Sequence, residues 1–213
     1  MKNKKKSIFI HVPKCGGMTM EHICHNNNIP IDPINRPPEW VKRRKNFKNI
    51  EDEIFEYSFA FVRNPFSRIV SGWKCPWVNG EPIPGFDDEK LPYRKKKWTT
   101  EFENFNLFVN KFLLHENDYS FYRWSHIMPV FDKRMKLFDD QGNQLVNFIG
   151  RLENLQQDFN IVCDKIGIPR QKLPHINESK HKHYTEYYDD ETREIVAERY
   201  AKEIEYFGYK FGE

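Results

Sequence analysis

Phe9-Ile-His-Val-Pro-Lys-Cys-Gly-Gly-Met-Thr19 is the stretch of sequence that decides the fold. Ser7 to Val12 is a nearly continuous apolar run, the mark of a strand buried on both faces in a parallel sheet. Pro13 to Gly17 reads as a loop, and Met18 to Cys24 as a helix. Gly16 and Gly17 let the backbone come close to a ligand and adopt dihedrals closed to other residues. The helix start that follows presents N–H groups without intrahelical partners and the positive end of a dipole. Lys14 adds a mobile cation and Thr19 a hydroxyl, so strand, loop and helix together predict an anion site. The lysine precedes the glycines, whereas the nucleotide-hydrolase P-loop needs it after the last one.

The same architecture returns in Phe61-Val-Arg-Asn-Pro-Phe-Ser-Arg-Ile-Val-Ser71. Tyr57 to Val62 reads as a second buried strand, broken by Asn64-Pro65. Phe66, Ile69, Val70 and Trp73 then share one helical face. Arg63 stands at the strand end, and Ser71 lies about two turns along the helix. A guanidinium and a hydroxyl in that arrangement suit one phosphate. Arg68 is either a further anion ligand or the partner of an acidic neighbour. Two strand–loop–helix units predict an α/β fold with a parallel sheet and helices on its faces.

Elsewhere the pattern predicts an irregular His25 to Pro38 and a short helix from Pro38 to Lys45. Cys75 to Tyr93 is rich in proline and glycine, which suits a substrate-facing loop. Phe102 to Leu114 carries an aromatic helical stripe of core type. Met135 to Phe138 and Val146 to Gly150 read as strands flanking the turn Asp139 to Asn143. Leu152 to Ile166 is an amphipathic helix ended by Gly167. His175 to His183 reads as a polar loop, and Asp190 to Tyr206 as one long helix with an acidic start.

A length of 213 residues suits one domain, here 1–213 with an insertion at about 74–100. Aromatics make up 15% of the chain, so the core leans on large rings. A net charge of +3 gives no reason to expect a nucleic-acid partner. Basic clusters at Lys42 to Lys45, Arg94 to Lys97 and Lys180 to Lys182 suit either solvated surface or an anionic substrate. Cys15, Cys24, Cys75 and Cys163 match no zinc or CxxC spacing, which points to thiols in a reducing compartment. No apolar run is long enough for a membrane span, and the run after the basic N-terminus is too short for a signal peptide. The expected location is the cytoplasm.

The pair PKxGG and RNPxxRxxS resembles the sulfotransferases that use 3′-phosphoadenosine-5′-phosphosulfate (PAPS), above all the membrane-type carbohydrate sulfotransferases and their soluble microbial relatives. Phe148-Ile-Gly-Arg-Leu-Glu-Asn154, Leu173-Pro-His-Ile-Asn177 and Tyr206-Phe-Gly-Tyr209 are similar too, so the likeness spans nearly the whole chain. The resemblance implies a P-loop-like three-layer sandwich, with a central parallel sheet and helices on both faces. It implies that Lys14, Cys15, Gly16, Gly17, Met18 and Thr19 line the 5′ end of the cofactor. Arg63 and Ser71 then hold the 3′-phosphate, and Ser179 and Lys180 belong to a loop that closes over it. By analogy Leu152 and Glu153 lie near the adenine. Met18 departs from the family's usual Thr or Ser, and His25 to Glu56 lacks the histidine segment that some relatives use as base.

Sulfuryl transfer resembles phosphoryl transfer, in which charge builds on the leaving oxygen. Lys14 is the candidate to stabilise that charge, and no metal is required. An acceptor hydroxyl needs a general base. His126, in Trp124-Ser-His-Ile-Met128, is the candidate, with Glu39 and Asp32 as carboxylate alternatives. His22 and His25 follow the loop in sequence, and His11 reads as structural or as a support behind the loop. Trp73, Trp77 and Trp98 suit sugar stacking or packing, and Trp73 is assigned to packing. The acceptor implied by the family is a carbohydrate hydroxyl. The competing expectations are a non-catalytic module that binds the product nucleotide (PAP) and, further off, a P-loop kinase that needs magnesium.

Overall fold

A computed structural model describes residues 5–32, 54–75, 104–113, 125–174 and 182–213. The chain falls into two compact units: Met1–Arg63 with Pro129–Lys180, and Asn64–Met128 with His181–Glu213. The short helix expected at Pro38 to Lys45 and nearly all of the insertion at about 74–100 lie outside the described residues.

The first unit is built on a parallel sheet of four strands. They are β1 (Ser7–Ile10), β2 (Ile31–Asp32), β3 (Tyr57–Val62) and β4 (Phe148–Arg151). The spatial order is β2-β1-β3-β4. Ser7 to Ile10 sit opposite Tyr57 to Ala60, and Phe59 to Val62 opposite Phe148 to Arg151. Side chains alternate across the sheet. Phe9, Phe59, Phe61 and Ile31 share one face with the apolar sides of α1 (Gly17–Asn26) and α3 (Leu155–Ile166). Met20, Ile23 and Cys24 come from α1, and Phe159, Val162, Cys163 and Ile166 from α3. The rings of Phe9 and Phe59 lie 5.4 Å apart, and those of Phe59 and Phe61 6.2 Å apart, edge to face. Ile8, Ile10, Ala60 and Val62, on the opposite face, are equally buried. The α/β fold with a central parallel sheet and helices is thus the one expected.

Gly150 explains how closely α3 lies on that sheet. A Cβ there would fall 2.5 Å from the Phe61 ring and 2.9 Å from Asp158 Cβ. The Asp158 carboxylate accepts the Arg151 backbone N–H at 2.6 Å, closing the turn between β4 and α3. That turn is the 3-10 segment Leu152–Asn154, so the expected helix of Leu152 to Ile166 starts with a tighter turn. Gly167, with φ 78°, ends it as expected.

The second unit holds α2 (Pro65–Trp73), α4 (Asp190–Arg199) and α5 (Ala201–Phe207). The Asn64 side chain accepts from Phe66 N, and Pro65 fills the first helical position, where no N–H is needed. Its aromatic core includes Trp73, packed edge to face on Phe105 and Tyr187, in agreement with the packing role read from the sequence.

Four expectations need correction. Met135 to Phe138 is not a strand. Lys133–Met135 is a 3-10 turn capped by the Asp132 side chain, Lys136 follows at φ 52°, and only a single bridge joins Phe138 to Gln144. Local side-chain-to-backbone bonds outcompete strand pairing there. Asp139 does the same for the next turn, accepting from the backbone of Gln141 and Asn143. The helix expected from Asp190 to Tyr206 is two helices, broken at Tyr200, whose ring is drawn into the core. Within the described part of the Phe102 to Leu114 helix, an α turn at Phe105–Leu107 widens into a π turn at Phe108–Phe112. Ile31–Asp32, in the stretch read as irregular, adds the short edge strand β2.

The start of α4 yields a test. Asp189 accepts from Thr192 N at 2.8 Å, while its own N–H donates to Thr192 Oγ1. The Thr192 side-chain hydrogen bond holds the Asp189 carboxyl below the usual carboxylate range. Asp189→Ala is expected to destabilise the fold by about 1 kcal/mol. A carboxyl lowered on folding stabilises in full above its unfolded pKa, and that stability is lost as pH falls through the folded pKa. Variant and wild type should therefore differ at neutral pH and converge in acid. Thermal melts across that range check it, and a difference that persists in acid would remove Asp189 ionisation from the explanation.

Candidate active site

Strands β1 and β3 are neighbours, yet the chain leaves β1 toward β2 on one side and β3 toward β4 on the other. The carboxyl ends of β1 and β3 thus form the switch point where open α/β sheets bind ligands. The loop Pro13 to Gly16 leaves β1 at that point. Lys14 (φ 68°) and Gly16 (φ 77°) are both left-handed, separated by one residue of ordinary handedness. Such alternation turns successive N–H groups toward a common point and makes an anion concavity.

The helix start adds to it. Gly16 is the N-cap of α1, with no side-chain cap bond and no acidic residue in the first turn. The first intrahelical bond runs from Met20 N to Gly16 O. The Cys15 thiol is buried and directed at Pro13 O, 3.6 Å away, so this residue offers the loop its backbone alone. Met18 is 48% exposed at the helix start. Thr19 is buried, and its hydroxyl donates to Pro174 O at 3.4 Å, which ties α1 to the Leu173-Pro174 segment.

Each glycine here is fixed by a neighbour. A Cβ on Gly17 would stand 1.9 Å from His11 Nε2. His11 shares the sheet face of Phe9, whose ring it meets edge-on at 5.9 Å, and the Nε2 edge of its imidazole is turned to the helix start. A Cβ on Gly16 would stand 3.0 Å from Leu152 and 3.4 Å from Leu155, so these two leucines wall the loop. Neither contact of His11 nor of Leu155 had been read from the sequence. The signal for His11 was its parity with Phe9 on one strand face.

Arg63 leaves the end of β3, and its Nη1 donates to Lys14 O at 3.5 Å, a long bond. The Arg63 guanidinium thus rests on the Lys14 backbone at the switch point, beside the helix start that has no side-chain cap. A dianionic phosphate group fits this set: backbone donors, a guanidinium, an ammonium and a glycine cradle that side chains would fill.

The remaining candidates are placed as follows. Ser71 is half-buried on α2 of the second unit. His126 is buried in the same unit, on the segment Ser125 to Met128. Arg68 is buried: its side chain is 1% exposed, donates to Met128 O at 2.5 Å and faces Glu203 at 3.7 Å. Asp32 is buried on β2, with Lys136 Nζ at 3.7 Å. His22 meets Asn26 Nδ2 at 3.1 Å on the exposed side of α1, where His25 is exposed as well. Ser179, Lys180, Glu39, Trp77 and Trp98 lie outside the described residues. Among the described residues, no group of three or more His, Cys, Asp or Glu is placed to hold a metal ion, and no helix is long and apolar enough to cross a membrane.

The cysteines are thiols, and all four are buried. Burial, with the neighbouring Asp164 charge, pushes the Cys163 thiol up to about 11, and burial raises Cys24 further. Neither of these two raised thiols has the environment of a nucleophile.

Among curated proteins, none matches the chain. The sequence profile described as the sulfotransferase family matches residues 1–210. That match runs through the Lys14–Gly17 loop, Arg63 and Ser71 and on into α5, so the chain belongs to the sulfotransferase family.

Proposed function

We propose that the protein transfers the sulfuryl group of PAPS to a hydroxyl of a carbohydrate acceptor. The observation that carries this reading is the placement of Arg63 on Lys14 O, beside the uncapped start of α1 at the sheet's switch point. The family membership supports sulfuryl transfer in general. The donor rests on the fit of this cradle to a phosphate, and the acceptor class on the resemblance of the paired motifs.

In this reading PAPS supplies an activated sulfuryl group whose acceptance frees PAP. The N–H groups of Gly17, Met18 and Thr19 orient the 5′ end. Lys14 brings its ammonium to the oxygen on which charge builds, a contribution worth about 2.7–4 kcal/mol for one aimed donor. Gly16 and Gly17 keep side chains out of the cradle, and Leu152 and Leu155 exclude water behind it. Arg63 and Ser71 take the 3′-phosphate. Ser179 and Lys180 are proposed to add to the same phosphate. His126 is the proposed base, taking the proton of the acceptor hydroxyl as the new S–O bond forms.

The test is a thermal-shift and calorimetric titration with PAP, without magnesium. Binding to the folded state raises the melting temperature. Arg63→Ala removes a charge-assisted contact and is expected to weaken PAP about ten- to a hundredfold. ATP with magnesium stabilising where PAP does not would replace this reading by the kinase one.

A further inference from the structure

The second arginine of the RNPxxR stretch has no part in the cradle, and its surroundings give it another task. Arg68 sits in the middle of α2, three residues before Ser71, with a side chain almost wholly withdrawn from solvent. Its Nη2 donates to the backbone carbonyl of Met128 at 2.5 Å. Its guanidinium lies over the Tyr200 ring, 5.7 Å from the centroid, and faces the buried Glu203 carboxylate. The Tyr200 hydroxyl in turn donates to the carbonyl of Ile127. Burial pushes the Tyr200 phenol well above its usual range, so this O–H remains a donor throughout the working pH range.

Two consecutive carbonyls, those of Ile127 and Met128, are therefore held by one buried cluster. The residue before them is His126. Its own carbonyl lies against α2 at Gly72, four residues after Arg68 and on the same helix face. A Cβ on Gly72 would come 3.4 Å from His126 O and 2.8 Å from the Ile127 side chain. Gly72 directly follows Ser71. The segment that carries His126 is thus joined to the helix that carries Ser71 by the Arg68 hydrogen bond and by close packing at Gly72, while Tyr200 holds it from outside that helix.

We infer that Arg68 is a positioning residue: with Tyr200, it fixes the His126 segment on the Ser71 helix, so that occupation of the nucleotide site sets the orientation of the His126 ring. This rests on the proposed function in taking Ser71 as a nucleotide contact and His126 as the base. A merely structural Arg68 would change stability and leave the His126 ring as it is in every folded variant.

The experiment is a two-dimensional proton–nitrogen spectrum of histidine rings in uniformly labelled full-length protein. His126 signals are assigned by their loss in His126→Gln, and PAP is the probe. PAP is expected to move the His126 ring signals of the wild type. Tyr200→Phe removes one O–H and keeps the ring under Arg68. In this variant the His126 signals are expected to shift before PAP is added, and their response to PAP to fall by at least about half. PAP affinity itself should stay within about twofold. His126 signals that superimpose on the wild type and respond fully to PAP would overturn the inference. Should Tyr200→Phe not fold, Gly72→Ala presses on the same segment at the Ile127 side chain, and unmoved signals there overturn it equally. Absence of PAP binding to the wild type would instead sink the proposed function, while the ligand-free comparison still decides the positioning.

Discussion

Glu203→Ala is expected to destabilise the protein by about 3–5 kcal/mol, which lowers the melting temperature by roughly 6–20 °C in a chain of this size. The carboxylate is 2% exposed and faces Arg68, itself 1% exposed. Removing it leaves a guanidinium in the core without its counter-charge, and an uncompensated buried charge is among the most destabilising changes known. The Met128 carbonyl and the Tyr200 ring remain, but neither supplies a full negative charge. The double variant Arg68→Met/Glu203→Ala removes both charges and is expected to recover much of the loss, since apolar replacements of whole buried pairs are often neutral. Urea melts of the two single variants and the double give the coupling directly. Additive losses would mean that the two groups do not sense one another.

Gly17→Ala is expected to weaken PAP by at least about tenfold with the fold retained. The added methyl would stand 1.9 Å from His11 Nε2, a separation that no relaxation of the methyl alone can relieve. Either the imidazole swings away from the helix start or the first turn of α1 backs off. In the second case the N–H groups of Gly17 and Met18 leave the point at which a phosphate would sit. The strain itself is of the overpacking kind, about 1–3 kcal/mol. The double variant His11→Ala/Gly17→Ala opens the space again. If it regains PAP binding, the loss came from the collision with His11. If Gly17→Ala binds PAP as the wild type does, close backbone approach at this position is not part of the site. Calorimetry on the three variants, with melts as a control for folding, separates the cases.

The parts of the fold that were legible are those governed by local pattern. The runs Ser7 to Val12 and Tyr57 to Val62 are apolar on both faces, and they became the adjacent central strands of a parallel sheet. The glycine pair after Pro13 and the Asn64-Pro65 break marked helix starts within one residue. What escaped is what depends on partners distant in sequence. Nothing near Tyr200 announces a break; the ring leaves the helical path because Arg68 and Ile127, far away in sequence, receive it. Met135 to Phe138 has strand-like composition, but Asp132 and Asp139 close the backbone on either side into turns. The short β2 acquires its identity only by pairing with β1. The site divides in the same way. Lys14, the glycines and Arg63 were visible as spacing, whereas the contact of His11 with Gly17 needed the third dimension. Arg68 stood open between an anion ligand and a structural partner until its burial and its carbonyl acceptor decided it.

Lys14 holds a left-handed backbone that asparagine or glycine adopts more easily, at a conformational disadvantage of about 1 kcal/mol. Its carbonyl, the acceptor for Arg63, is common to every residue type, so only the ammonium argues for lysine. Selection for folding alone would therefore erode this position, and selection for anion chemistry alone would keep it. Position 14 becomes a recorder of history: in a lineage that has abandoned the reaction, replacement by asparagine or glycine should come early, while Gly17, bound by the His11 imidazole, stays behind as the fossil of the former cradle.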